Sequence, residues 1–202
     1  MTTKPVRIRW AGLALAVAAV AGLAWVQVEH AGGGVEAAAL SNVGGPWTLT
    51  DQNGWPVTES SFPGKVQVLF FGYRYCPDVC PTELQTIAQA LDLLGGDAGG
   101  VQPLFVSVDP QRDTPATLAE YTALFDSRIL GLTGTPEQIK AVAKAYRVYF
   151  AKVDTKAGAD NYLMDHSAFV YLTDRSGAVT GVMPPGTTAD ALADRIRALL
   201  KT

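Results

Sequence analysis

The chain has 202 residues with a formal net charge of −3 and 48% hydrophobic residues, enough for one well-buried domain plus an appendage and too short for two ordinary domains. Its Lys and Arg residues are scattered rather than gathered on one stretch, so nothing favours a nucleic-acid partner. Much of the hydrophobic excess sits in one N-terminal run and does not count towards a core.

That run, Trp10 to Val28, carries no charged residue, and at ~1.5 Å per residue it is long enough to cross a hydrocarbon layer of roughly 30 Å. Lys4, Arg7 and Arg9 precede it, while Glu29 and His30 follow. The positive-inside rule therefore puts residues 1–9 in the cytoplasm, makes 10–28 a single transmembrane anchor and leaves the rest of the chain outside. A cleaved signal peptide is the rival reading. Against it, the run exceeds the ~7–15 residues of a signal core, and the nearest small-residue site, Ala37-Ala38-Ala39, lies far beyond it. Residues 29–45, rich in Gly and Ala, suit a flexible tether, and a folded domain is expected over 46–202.

Within that domain, Trp47 to Thr50 and Pro56 to Thr58 flank the turn-forming stretch Asp51-Gln52-Asn53-Gly54, the pattern of a small opening hairpin. Val66 to Gly72 is a nearly continuous β-prone apolar run, as in a strand covered on both faces. Beyond Pro81, residues Leu84, Ile87, Ala88, Leu91 and Leu94 recur at helical spacing until Gly95-Gly96. Val101 to Val108 is a second buried strand, and Asp113-Thr114-Pro115 opens a helix through Phe125. Thr135-Pro136-Glu137 starts another helix, followed by a strand around Arg147 to Val153 and a polar loop over 154–162. Ser167 to Leu172 and Ala178 to Met183 form a hairpin around Asp174-Arg175-Ser176-Gly177, and a helix from about Thr188 to Leu200 closes the chain. An early βαβ unit giving way to a β-hairpin and a final helix is the order of a thioredoxin-like α/β fold, a mixed central sheet with flanking helices. No internal repeat is present.

Both cysteines of the chain fall in Tyr75-Cys76-Pro77-Asp78-Val79-Cys80-Pro81, where a buried strand runs into a helix. A disulfide across so short a segment closes almost no loop, so stabilisation is a poor reason for the pair. A static disulfide or two inert core thiols is the plain alternative. Positions i and i+4 share a helical face, and the free amides and dipole at a helix start favour anionic sulfur, making both groups better ligands and nucleophiles. Two thiolates suit a soft ion, Cu(I) or zinc. A third ligand must come from His30, which abuts the apolar run, or His166, which stands just before a core strand. In a thioredoxin-like sheet the loop leading into that strand rises beside the cysteine turn, so His166 is the candidate, with Asp165 placed to orient its imidazole. Met164 and Met183 are soft enough to bind Cu(I) but read as packing. Asp78 is either a solvated cap residue or a partner contact.

Several segments together resemble the Sco/SenC family of copper metallochaperones. They are Phe70-Phe71-Gly72-Tyr73 leading into Cys76-Pro77-Asp78-Val79-Cys80-Pro81, then Val106-Ser107-Val108-Asp109-Pro110 with Arg112-Asp113-Thr114-Pro115, then Gly131-Leu132-Thr133-Gly134, and Asp165-His166-Ser167. The resemblance implies that residues matching Cys76, Cys80 and His166 bind one copper, as Cu(I) with Cu(II) as a further state. It also implies delivery to the cytochrome c oxidase subunit that carries the CuA centre, so the chain reads as a chaperone rather than an enzyme. A copper donor and a membrane-tethered thiol reductase are the further partners expected. The alternative within the family is a thiol-disulfide reductase, in which Cys76 and Cys80 reduce the CuA cysteines. A peroxidase would need a Thr separated from the attacking Cys by two residues, where Tyr73 stands before Cys76. The Ala- and Gly-rich composition without an Arg- and Ser-rich transit segment points to a bacterial inner membrane, with the domain on the periplasmic side.

Overall fold

The computed structural model describes residues 40, 42–153 and 162–202. The chain divides into two units, Met1–Ser41 and Asn42–Thr202, and every element below belongs to the second. The expected anchor at 10–28 lies outside the described residues, as does His30. Among the described residues, no helix is long and apolar enough to cross a membrane.

Strands β1 (Thr48–Asp51) and β2 (Pro56–Thr58) form the expected opening hairpin. Asp51 closes its turn, because its carboxylate accepts from the amides of Asn53 at 2.9 Å and Trp55 at 2.8 Å. β3 (Val66–Gly72) is the expected central strand, and all seven of its residues are buried. Successive side chains of a strand point to opposite faces, so Phe70 and Phe71 seed separate clusters. Phe70 lies 6.1 Å from Phe105, whereas Phe71 lies 5.4 Å from Tyr146 and 5.7 Å from Tyr171, measured between ring centres. Both faces of the strand are therefore covered, which explains its unbroken apolar run.

Helix α1 (Val79–Leu94) buries Cys80, Leu84, Ile87, Leu91 and Leu94, a stripe at helical spacing, and Gly95 ends it at φ 56°. β4 (Val101–Ser107) then runs parallel to β3 in register, from Val66 opposite Val101 to Gly72 opposite Ser107. Helix α2 (Pro115–Ala123) stops two residues short of the expected Phe125. β5 (Leu130–Thr133) carries too few residues to announce itself as a strand. It pairs parallel with β4 and antiparallel with β1. Helix α3 (Pro136–Ala145) follows. Threonines at the starts of α2 and α3 cap them as anticipated, Thr114 accepting from the Thr117 amide and Thr135 from the Gln138 amide.

The strand expected from Arg147 begins only at Phe150. Arg147 adopts φ 56° and the Val148 amide donates to the Ala143 carbonyl at 2.8 Å, a helix-terminating turn of the kind glycine usually supplies. The extended run therefore starts after it. β6 (Phe150–Val153) pairs antiparallel with β7 (Leu163–His166) in a two-stranded sheet apart from the main one. The segment before Ser167, expected as a loop, is thus largely strand. β8 (Val170–Thr173) and β9 (Val179–Met183) form the last hairpin, and α4 (Ala189–Leu200) packs on α1. The main sheet has the order β2-β1-β5-β4-β3-β8-β9, with β5, β4 and β3 parallel and the rest antiparallel. It is the mixed sheet with flanking helices that the element order implied.

Gly72 ends β3 beneath the cysteines, and a Cβ there would lie 2.6 Å from Cys80 Sγ and 2.9 Å from Phe105. The absent side chain is what gives the sulfur its place. Gly72→Ala is expected to cost about 1–3 kcal/mol, the usual penalty of overpacking a core, in urea denaturation. Gly96→Ala, which meets open space, is expected to be near neutral in the same measurement.

Candidate metal centre

The cysteine segment leaves the sheet at Gly72 and turns before helix α1 begins. Cys76 precedes the helix and is half-buried, while Cys80 sits in its first turn and is buried. The two are therefore not neighbours on one helical face, as the spacing alone suggested. Their link is made by the helix start itself: the Cys80 amide donates to Cys76 Sγ at 3.4 Å, the use of a free helical amide that the sequence context anticipated. Asp78 stands at the N-cap, exposed, with no side-chain cap bond, and its carbonyl accepts from Thr82 Oγ1 at 3.0 Å.

His166 ends β7, and pairing with β6 aims it at the cysteines. Its Nε2 lies 3.4 Å from Cys80 Sγ, and Nδ1 lies 3.2 Å from the Ser167 carbonyl. A carbonyl only accepts, so Nδ1 carries a proton and is held away from the sulfurs, leaving Nε2 as the ring nitrogen that faces them and would ligate. The orienting acceptor is thus Ser167 and not Asp165, which is exposed and alternates to the other face of the strand. Tyr73 meets the His166 ring edge-on at 5.7 Å.

Cys76 Sγ, Cys80 Sγ and one imidazole nitrogen of His166 all lie within 4.8 Å of one another. Three donors around a first-row ion at bond lengths of about 2.0–2.3 Å stand about 3.5–4 Å apart, so the group fits one such ion with little movement. The site opens into a surface depression bordered by Pro77, Val79, Leu163 and Met164. Met164 shares the inward face of β7 with His166 and also packs on the core, as Met183 does.

Charge at the pair is unequal. Cys76 is pushed down to about 4, chiefly by the hydrogen bond from the Cys80 thiol and further by His166 and the amides of Asp78 and Cys80. Burial and the neighbouring Cys76 push Cys80 the other way. One negative charge is therefore held on the outer sulfur, while the inner sulfur keeps its proton.

Beneath the site lies a polar network that the sequence did not disclose. It is built on the connection between β4 and α2. Val108 donates to the Gly72 carbonyl at 2.8 Å. Asp113, fully buried, accepts from Ser107 Oγ at 2.6 Å and from the Arg74 amide at 3.1 Å, and burial raises its pKa. Asp109 accepts from the Tyr162 hydroxyl at 2.6 Å and pairs with Arg112. Arg112 in turn donates to the Tyr162 carbonyl at 3.0 Å. The only sequence signal was the run of paired charges directly after a buried strand.

The sequence matches the SCO1/SenC family over residues 35–201. The chain belongs to that family. The Sco fold is seen directly in the structure of Bradyrhizobium japonicum ScoI with copper bound, which superposes with a TM-score of 0.72 at 46% identity, covering 78% of this chain and 99% of that one. Among curated Sco proteins, the mitochondrial protein SCO2 of Saccharomyces cerevisiae is 49% identical over 137 residues, 67% of this chain and 45% of its own length. Protein SenC of Rhodobacter capsulatus is 41% identical over 162 residues, 80% of this chain and 72% of its own. The chain thus spans about half the length of the yeast Sco relative. The family resemblance read from the motifs holds over most of the domain.

The unequal pair has a direct chemical consequence. In the reduced, metal-free protein, iodoacetamide is expected to label Cys76 and spare Cys80. The labelling rate should be nearly flat between about pH 6 and about pH 8, where an ordinary thiol with a pKa near 8.5 gains about tenfold per unit. Cys80→Ala removes the largest cause of the depression and should shift the Cys76 labelling profile to higher pH, read by mass spectrometry of the labelled peptides.

Proposed function

We propose that this Sco protein is a copper metallochaperone: it binds one copper ion between Cys76, Cys80 and His166 and delivers it to the CuA site of cytochrome c oxidase during assembly. The observation that carries the reading is the gathering of two sulfurs and one imidazole nitrogen within 4.8 Å, in a half-buried depression open on one side. Thiolates select soft ions, and Cu(I) accepts three ligands without needing a fourth. An ion held by three ligands beside open space is accessible to an incoming thiolate, which is what hand-over requires. The copper bound in the related ScoI structure supports the same reading.

Asp78 and Asp165, both exposed beside the ligands, are proposed partner contacts. The oxidase subunit carrying CuA is the proposed acceptor, with a separate copper donor upstream. The Trp10 to Val28 run supports a single-pass anchor holding the domain on the extracytoplasmic side of a bacterial inner membrane. In an oxidising compartment Cys76 and Cys80 would need a thiol reductase to keep them free, since sulfurs joined to each other cannot ligate Cu(I).

The test is anaerobic titration of the reduced full chain with Cu(I) against a competing chelator. One ion per chain is expected. Cys76→Ala, Cys80→Ala and His166→Ala should each weaken binding by more than the about 10–100-fold that loss of an outer-shell partner costs. The oxidised chain, with the disulfide verified, should not compete for the ion. Full affinity in His166→Ala would reduce the site to two thiolates. Reduction of an acceptor's cysteines at a rate indifferent to His166→Ala, without copper transfer, would replace the chaperone by a reductase.

A further inference from the structure

The two ligand-bearing elements come from different parts of the fold. Cys76 and Cys80 rise from the end of β3 in the main sheet, whereas His166 rides on the β6–β7 ribbon, which shares no ladder with that sheet. An isolated two-stranded ribbon is marginal by itself, so something else must fix its position against the cysteines to within a few tenths of an ångström.

Besides the contacts that Tyr73 and Cys80 make with His166 itself, Arg112 reaches both elements. The Arg112 guanidinium stacks on the Tyr162 ring at 3.6 Å and donates to the Tyr162 carbonyl at 3.0 Å, at the foot of β7. It also lies 4.7 Å from the Tyr75 ring and 5.9 Å from the Tyr73 ring, both in the cysteine segment. It is anchored to the core through the carboxylate of Asp109, whose other oxygen takes the Tyr162 hydroxyl at 2.6 Å. Its side chain is only 16% exposed and that of Asp109 only 3%, so the pair is shielded from competing water. The Tyr162 ring also meets Lys152 Nζ of β6 at 3.9 Å, which ties in the second strand of the ribbon. Arg suits this place because a planar cation can stack on aromatic faces and fork its hydrogen bonds at once, which a lysine ammonium cannot do.

We propose that Arg112 is a positioning residue for the metal group: by joining Asp109, Tyr162 and the tyrosines of the cysteine segment, it holds the β6–β7 ribbon so that His166 Nε2 stays within ligating reach of the two sulfurs. The inference rests on the proposed copper site, and it adds a determinant of affinity that contacts no ligand atom. Loss of Arg112 leaves both sulfurs in place, because they are held by β3, Gly72 and helix α1. What it releases is the imidazole.

The experiment compares the full chain with its Arg112→Ala, His166→Ala and doubly substituted forms, using Cu(I) alone as the probe. Cu(I) affinity should fall about tenfold to a hundredfold in Arg112→Ala, the range for lost outer-shell support. X-ray absorption at the copper edge should change from two sulfurs plus one nitrogen to two sulfurs only. The double variant should be no weaker than His166→Ala, since Arg112 acts only through that ligand. In the metal-free protein, amide exchange at 163–166 should quicken while β3 stays protected. An unchanged three-ligand spectrum and affinity in Arg112→Ala, or losses that simply add in the double variant, would overturn the proposal. Should Arg112→Ala not fold, Arg112→Lys and Tyr162→Phe provide the same comparison, because each removes part of the clamp while leaving the Asp109 carboxylate a partner. Failure of the unsubstituted chain to bind Cu(I) would count against the metal site itself, and the exchange measurement would still decide whether Arg112 holds the ribbon.

Discussion

The carboxylates of Asp109 and Asp113 are buried where β4 ends, and a buried charge is tolerated only when donors occupy its oxygens. Here those donors come from the two elements that carry the site. Asp113 takes the Arg74 amide from the cysteine segment, and Asp109 takes the Tyr162 hydroxyl from the foot of the histidine ribbon. A short stretch of chain between a central strand and the next helix thereby touches both the cysteine segment and the foot of the histidine ribbon. Both Asp109 oxygens and Asp113 Oδ2 are thus occupied by groups of the two site-bearing elements, of β4 and of the connection itself, while Asp113 Oδ1 is left with only the Arg74 guanidinium 4.0 Å away.

Around that anchor, the sheet supplies rigidity and the helix supplies electrostatics. β3 is clamped by aromatic clusters on both faces, so the point at which the cysteine segment departs is fixed. Gly72 then lets Cys80 sink against Phe105. The start of α1 directs amides at Cys76, and the inner thiol donates to the outer one, so that anionic character concentrates on the more accessible sulfur. Such a division suits a site that must both hold a soft cation and exchange it. The outer sulfur is the natural point of first contact with an incoming ion, and the inner sulfur, with the imidazole, completes the shell.

Much of this was legible in the sequence because it is local. Alternation and helical spacing placed β3, α1, β4 and α4, and the Thr-Pro pairs at 114–115 and 135–136 announced two helix starts through capping and a preset φ. Elements whose identity depends on partners elsewhere were not legible. β5 has four residues and exists because β4 and β1 flank it. β7 reads as the loop leading into a core strand until β6 pairs with it, and Arg147 takes a left-handed turn without the glycine that would have signalled it.

The site divides in the same way. The sequence by itself determined which atoms were available: two thiols at a strand-to-helix junction, a single histidine within the domain, and the soft-metal chemistry that follows from them. Those are properties of residue type and near spacing. Only the tertiary structure decided that Cys76 stands outside the helix, that Ser167 rather than Asp165 orients the imidazole, and that Arg112 bridges the two halves. The first depends on where helix α1 begins, the second on which face of a strand a side chain takes, and the third on groups brought together across tens of positions of chain, and no pattern of neighbouring residues encodes a distance of 3.4 Å between Cys80 and His166.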